Sequence, residues 1–157
     1  MKPPVLPLLA LMSLTPFLAA VAEPIPATFD SAGDDRKAIE ALLNTYTEAV
    51  STKNQSLFES ILLNKDIPFS DAPSAIKANG AERGTQRYES FRKAVVEGPA
   101  FIQRFQDVHI QQDGPLANVS LVFVNSSAQG SGWGWKTLQL LKVDGHWKIA
   151  SEFYTAH

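Results

Sequence analysis

The sequence contains no cysteine. That excludes disulfides, thiolate metal sites, a cysteine nucleophile and lipid attachment through sulfur. A chain of 157 residues can nevertheless bury enough apolar surface to fold without covalent staples. An excess of one charge is also missing: 14 Lys and Arg stand against 16 Asp and Glu, interspersed, for a net charge of −2. With no basic patch and no base-reading motif, nucleic acid is not an expected partner. The three histidines, His109, His146 and His157, lack metal-ligand spacing, so no metal is expected. There is no nucleophile elbow, phosphate loop or dinucleotide fingerprint, and no cofactor is expected. Carboxylates and aromatic rings are what remain for chemistry.

The N-terminus carries an address. Lys2 precedes an apolar run over 5–21, and Ala20-Val21-Ala22 fits a small-x-small cleavage site. Pro7 and Pro16 interrupt the run, which is short for a membrane span. Residues 1–22 therefore read as a cleaved secretory signal and 23–33 as a flexible tether, with 34–157 as one domain. The mature protein is expected to be periplasmic or secreted, with no membrane attachment after cleavage.

In 34–51, Ile39, Leu42, Leu43, Tyr46 and Val50 fall at helical spacing and form one apolar face. Tyr46 lies on that face, so its hydroxyl is carried inward, toward a backbone carbonyl or the floor of a pocket. A shorter helix is expected over 55–63, turning Leu57, Phe58, Ile61 and Leu62 inward. A short strand follows over 67–70, confined to an edge by Pro68. Asp71 comes just after it, in a position where Asp commonly forms a turn. Thr85 can cap a third helix carrying Tyr88, Phe91 and Val95, which Gly98-Pro99 ends. Strands over 101–112 and 116–125 flank Asp113-Gly114-Pro115, and the closing pair GWGWKTLQLLK and WKIASEFYT flanks Asp144-Gly145. In the first of that closing pair, Trp133, Trp135, Thr137, Gln139 and Leu141 point one way. Gly134, Lys136, Leu138, Leu140 and Lys142 point the other. Helices followed by long strands predict an α+β fold, with the helices on one face of a curved antiparallel sheet. Asp71, Glu152 and Asp107 are the carboxylates that a general base would need.

This element order resembles the nuclear transport factor 2-like superfamily, as do GTQRYESF (84–91) and the terminal LLKVDGHWKIASEFYT (140–155). More closely it is similar to the SnoaL-like and lumazine-binding-like branches, over 34–156. The resemblance implies a cystatin-like cone, in which a curved antiparallel sheet wraps around the N-terminal helices and encloses a pocket. It also implies a homodimer through the outer face of the sheet, which Leu138 and Leu140, flanked by Lys136 and Lys142, would supply. Set against the ketosteroid isomerases of the superfamily, Tyr46 matches a helix-1 tyrosine that donates to an oxyanion. Asp71 falls at the general-base aspartate, and Gln139 stands where those enzymes carry a protonated aspartate. A glutamine amide donates more weakly than a neutral acid. The same alignment turns Trp135, Ala150, Glu152 and Tyr154 toward the cavity.

Three readings follow. The first is an exported domain whose mainly apolar pocket, lined by Tyr46, Trp135, Gln139, Glu152 and Tyr154, binds a small hydrophobic or carbonyl-containing molecule. The second is a cofactor-free isomerase or cyclase, with Asp71 as base and Tyr46 and Gln139 as oxyanion donors. The third is a protein-interaction domain whose cavity is filled by its own side chains.

Overall fold

The computed structural model describes residues 26, 28–77 and 86–157. The signal and the start of the tether lie outside them, as does Thr85, the expected cap of the third helix.

Helix α1, Gly33–Ser51, forms where the apolar spacing is most regular. Asp34 and Asp35 sit in its first turn, where the positive end of the helix dipole favours carboxylates. Ile39, Leu42, Leu43, Tyr46, Ala49 and Val50 are all buried, a single stripe laid against the sheet. Asn54 caps α2, Gln55–Ser60, by accepting the Leu57 backbone N–H at 3.0 Å. That helix ends before Ile61, shorter than its apolar pattern predicts. Strand β1, Phe69–Asp71, runs into α3, Ala72–Lys77, and α4 covers Tyr88–Arg92. The helical path then widens into a π-helical turn, Lys93–Glu97, instead of continuing as α-helix. Turns of this kind are rare and concentrate at functional sites. The Lys53 ammonium closes the end of this turn, donating to the carbonyls of Val95, Val96 and Gly98.

Four long strands complete the chain: β2 Ile102–Asp113, β3 Leu116–Ser127, β4 Gly130–Val143 and β5 His146–Tyr154. The sheet order is β1-β5-β4-β3-β2. Strands β2 to β5 form an antiparallel meander, and the short edge strand β1 joins β5 in parallel, which makes the sheet mixed. Gly114 and Gly145 take positive φ in the tight hairpin turns that join β2 to β3 and β4 to β5.

Two bulges shape the sheet. In β2 the register slips between Gln106 and His109, with Asp107 in the left-handed region at φ 49°. In β5, Gln139 faces Ser151 but Leu140 faces Ile149, so Ala150 is the extra residue. The second bulge changes which side chains point inward. Before it, Trp147 and Ile149 are buried against the helices; after it, Glu152 takes over the inward position. An unbroken strand would have turned Glu152 outward.

The alternation expected along β4 is present, but the faces are reversed. Lys136, Leu138 and Leu140 are buried, whereas Trp133 and Trp135 are each 51 % exposed and Gln139 is exposed. The expected dimer surface of Leu138 and Leu140 is therefore core. The two flanking lysines suggested solvent, but Lys136 has a buried partner, and that allows the leucines to face the helices. Gly134 lies in phase with Lys136, where a Cβ would clash with the Thr155 backbone carbonyl and meet the Phe123 ring at 2.6 Å. The missing side chain makes room for that ring.

Candidate functional site

Three elements converge on one buried polar cluster. Tyr46 comes from the middle of α1, Lys136 from the inner face of β4, and Glu152 from β5 just past the bulge. Tyr46 and Glu152 are fully buried and Lys136 is 2 % exposed. The Lys136 ammonium lies 2.7 Å from Glu152 Oε1 and 2.5 Å from the Tyr46 hydroxyl oxygen. The Tyr46 hydroxyl accepts from Lys136 and donates to the Glu152 carboxylate, 2.9 Å from Oε2. The Glu152 backbone N–H is held by the Pro68 carbonyl at 2.9 Å, which fixes the strand at this point. Rings surround the ammonium: Tyr46 at 4.3 Å to the centroid, Phe123 at 5.1 Å, Tyr154 at 5.6 Å, Phe105 at 5.7 Å and Phe91 at 5.8 Å. Aromatic faces stabilise a cation that water cannot reach.

Burial pushes each group toward its neutral form: the Glu152 carboxyl up, the Lys136 ammonium down and the Tyr46 phenol well up. The Lys136–Glu152 contact opposes the first two shifts, while the Glu152 charge reinforces the third. Tyr154, on the same face of β5, is pushed up to about 12, first by burial, then by the charges of Glu152 and Asp71.

The cluster is not sealed inside the core. Lys136 and Tyr154 line a cavity of about 210 Å³, with Phe91 and Val95 from the helical side and Gln103, Phe123 and Asn125 from the sheet. Ala94, Phe101 and Asn125 also line an adjoining cleft of about 390 Å³. That cleft runs out between Pro99 and the β3–β4 hairpin at Ser127–Gly130. The shared residues place the cleft next to the cavity that Lys136 lines, with Ala94 and Val95 of the π-helical turn among the walls. Gln103 Nε2 donates to Asn125 Oδ1 at 2.8 Å, and Gln103 Oε1 is buried without a partner.

Tyr46, Glu152 and Tyr154 lie close together, but of the three only Tyr154 lines the cavity; Tyr46 and Glu152, expected to line a pocket, are fully buried behind Lys136. Trp135 and Gln139 do not join them: both lie on the outer face of the sheet, where Gln139 accepts from Ser151 Oγ at 3.1 Å. Ala150 does not line the cavity, because it is the residue expelled by the bulge. Asp71 is half-buried, and its carboxylate accepts the Ser74 backbone N–H at 2.8 Å at the start of α3, a turn-forming role. Asp107 is exposed in the β2 bulge. Lys136, Gln103 and Asn125 were not anticipated. Lys136 did leave a trace in the sequence, as a lysine in phase with Leu138 and Leu140; Gln103 and Asn125 left none. Among the described residues, no group of three or more His, Asp or Glu side chains is placed to hold a metal ion.

No family model and no curated protein matches this chain. Solved structures do. A cystatin-like-fold protein of unknown function from Nostoc punctiforme superimposes with a TM-score of 0.64 at 12% identity, covering 82% of this chain and 95% of the other. A nuclear transport factor 2-like protein from Cytophaga hutchinsonii gives a TM-score of 0.63 at 18% identity, covering 80% and 100%. A candidate scytalone dehydratase from Novosphingobium aromaticivorans gives a TM-score of 0.62 at 16% identity, covering 78% and 84%. This chain therefore has the nuclear transport factor 2-like, cystatin-like fold. At these identities the likeness concerns the fold and not an activity.

Proposed function

We propose that this chain is an exported domain that binds a small, mainly apolar molecule in the cavity ending at Lys136 and Tyr154. One observation carries the reading: a buried lysine–carboxylate–tyrosine cluster stands at the inner end of an open, aromatic-walled cavity. A buried ion pair is a poor source of stability, because desolvating both charges offsets their attraction, and apolar residues of similar size do as well or better. A fold that carries such a pair at a cavity wall has a use for it beyond holding itself together. Apolar walls with a few convergent polar groups are the usual composition of a ligand site. Export rests on the N-terminal pattern of Lys2, the apolar run and Ala20-Val21-Ala22.

Catalysis by Asp71 with Gln139 lacks comparable support, since the Asp71 carboxylate is engaged at α3 and Gln139 faces away from Tyr46. The protein-interaction reading has one observation in its favour. The outer face of the sheet carries Trp133 and Trp135, each 51 % exposed, and Phe153, 40 % exposed. A second copy of this chain is one partner such a face would suit.

Native mass spectrometry of protein exported and purified from its own host tests the primary reading. A defined extra mass, lost on substitution of Phe123 by Trp to fill the cavity, is the expected result. Unliganded protein that gains no mass from a panel of small apolar alcohols and carbonyl compounds would remove it.

A further inference from the structure

The polar atoms of the proposed pocket restrict what can occupy it. Gln103 is only 6 % exposed, and it projects from β2 into the same cavity as Lys136. Its backbone N–H is held by Ser51 Oγ at 3.0 Å and its side-chain amide by Asn125, so the side chain is fixed from both ends. Its Oε1 has no partner, alone among the buried side-chain polar atoms of the described residues. A buried acceptor without a donor carries an uncompensated desolvation cost, which a donor on a ligand would relieve. Lys136 presents the complementary need. An ammonium has three N–H groups, and two are directed to Tyr46 and Glu152. The third is left for an acceptor in the cavity it lines.

Charge supplies the second restriction. Lys136 is the one charged side chain lining either the cavity or its outer cleft among the described residues, and Glu152 already neutralises it. A ligand carboxylate would make two negative charges share one ammonium in a site of low dielectric, where the excess charge is strongly disfavoured. Size agrees with a modest ligand, since an apolar cavity of about 150 Å³ already admits benzene.

We infer that the site takes a neutral apolar molecule bearing a hydroxyl, an alcohol or a phenol, which donates to Gln103 Oε1 and accepts from Lys136 Nζ. A hydroxyl meets both needs with one oxygen. A carboxylate meets only the second, and a plain hydrocarbon neither. This assignment rests on the cavity being a ligand site.

Titration of the ¹⁵N-labelled protein with benzyl alcohol, benzoate and toluene separates the possibilities. These probes share a ring and differ in the head group. Benzyl alcohol is expected to shift the Gln103 side-chain amide and to bind about tenfold more tightly than toluene or benzoate, since a site built around a hydroxyl leaves its polar groups unpaired when the hydroxyl is absent. In Gln103→Met the advantage of the alcohol over toluene should largely disappear. The ligand comparison on the unaltered protein stands alone if that variant does not fold. Tighter binding of benzoate, or equal binding of alcohol and toluene, would overturn the hydroxyl assignment while leaving the pocket. No response of the cavity resonances to any of the three would instead remove the pocket reading itself.

Discussion

Strand β4 contributes two lysines to two clusters of nearly the same composition, one at the first turn of helix α1 and one beside its middle. Lys136 meets Glu152 at 2.7 Å with the Tyr46 hydroxyl beside them. Lys142 meets Asp35 at 2.6 Å, with the Trp147 indole N–H donating to the same carboxylate oxygen at 3.1 Å and Gln112 donating to the other at 2.9 Å. Each cluster joins a lysine, a carboxylate and an aromatic donor. They differ in water: the first pair is 2 % and 0 % exposed, the second 34 % and 30 %. At Asp35 the lysine and the other two donors pull the carboxyl below its ordinary value. At Glu152 burial dominates and pushes the carboxyl up, although the lysine is at nearly the same distance, 2.7 Å against 2.6 Å. Similar contacts therefore clamp the start of α1 to the sheet where solvent shares the charge, and make a costly buried cluster where solvent is excluded.

The comparison breaks most visibly if one charge of the buried pair is removed. Lys136→Met or Glu152→Leu leaves its partner buried without compensation, and each should lose about 3–5 kcal/mol of unfolding free energy in urea titrations. The double variant should recover most of that loss. A double variant as unstable as the worse single one would show that the two charges do not act as a unit. Tyr46→Phe removes a hydroxyl bonded to charged groups on both sides, and it should cost about 1.5–3 kcal/mol by the same measurement.

Alkaline pH sharpens the contrast from the same end of the molecule. All three tyrosines in the sequence, Tyr46, Tyr88 and Tyr154, have phenols raised above 10, in each case chiefly by burial. A raised folded-state value means that the native fold favours the protonated phenol. That stability is complete below pH 10 and is lost as pH rises, through about 12 for Tyr154. Ultraviolet titration of tyrosinate should therefore show no phenol ionising near 10 in the native protein, with unfolding accompanying the change. The smallest effect belongs to the exposed cluster. Asp35 is lowered from 3.8, so its contribution is present above that pH and fades as the solution is acidified through the lower, folded value. The difference in thermal midpoint between the unaltered protein and Asp35→Asn should be modest at neutral pH and shrink below pH 3.8. A difference independent of pH would show that Asp35 acts through shape and not charge.

How far the fold was legible follows from the range of each interaction. The stripe Ile39, Leu42, Leu43, Tyr46, Val50 identified α1 and the side it buries, because helical periodicity is a local property. Asp113-Gly114 and Asp144-Gly145 located the β2–β3 and β4–β5 hairpins, because turn geometry is decided within four residues. The end of α4 was less legible. A widened π-helical turn leaves no periodic signature, and Lys53, which closes it, lies more than 40 positions away in the chain. The candidate site was legible only in part. Tyr46 was placed inward from its own helix, but its partners Glu152 and Lys136 stand 106 and 90 positions along.

The sequence by itself determined the α+β order, the apolar face of α1, the turns at Asp113-Gly114 and Asp144-Gly145, and the two alternating faces of β4. Each of these follows from spacing along a few consecutive residues. Only the tertiary structure decided which face of β4 meets the helices, and that a one-residue bulge at Ala150 turns Glu152 inward. Those outcomes depend on a distant carboxylate being available to neutralise Lys136. Spacing says that a side chain points to one side of a strand; whether that side is water or core is settled by what the rest of the chain places there.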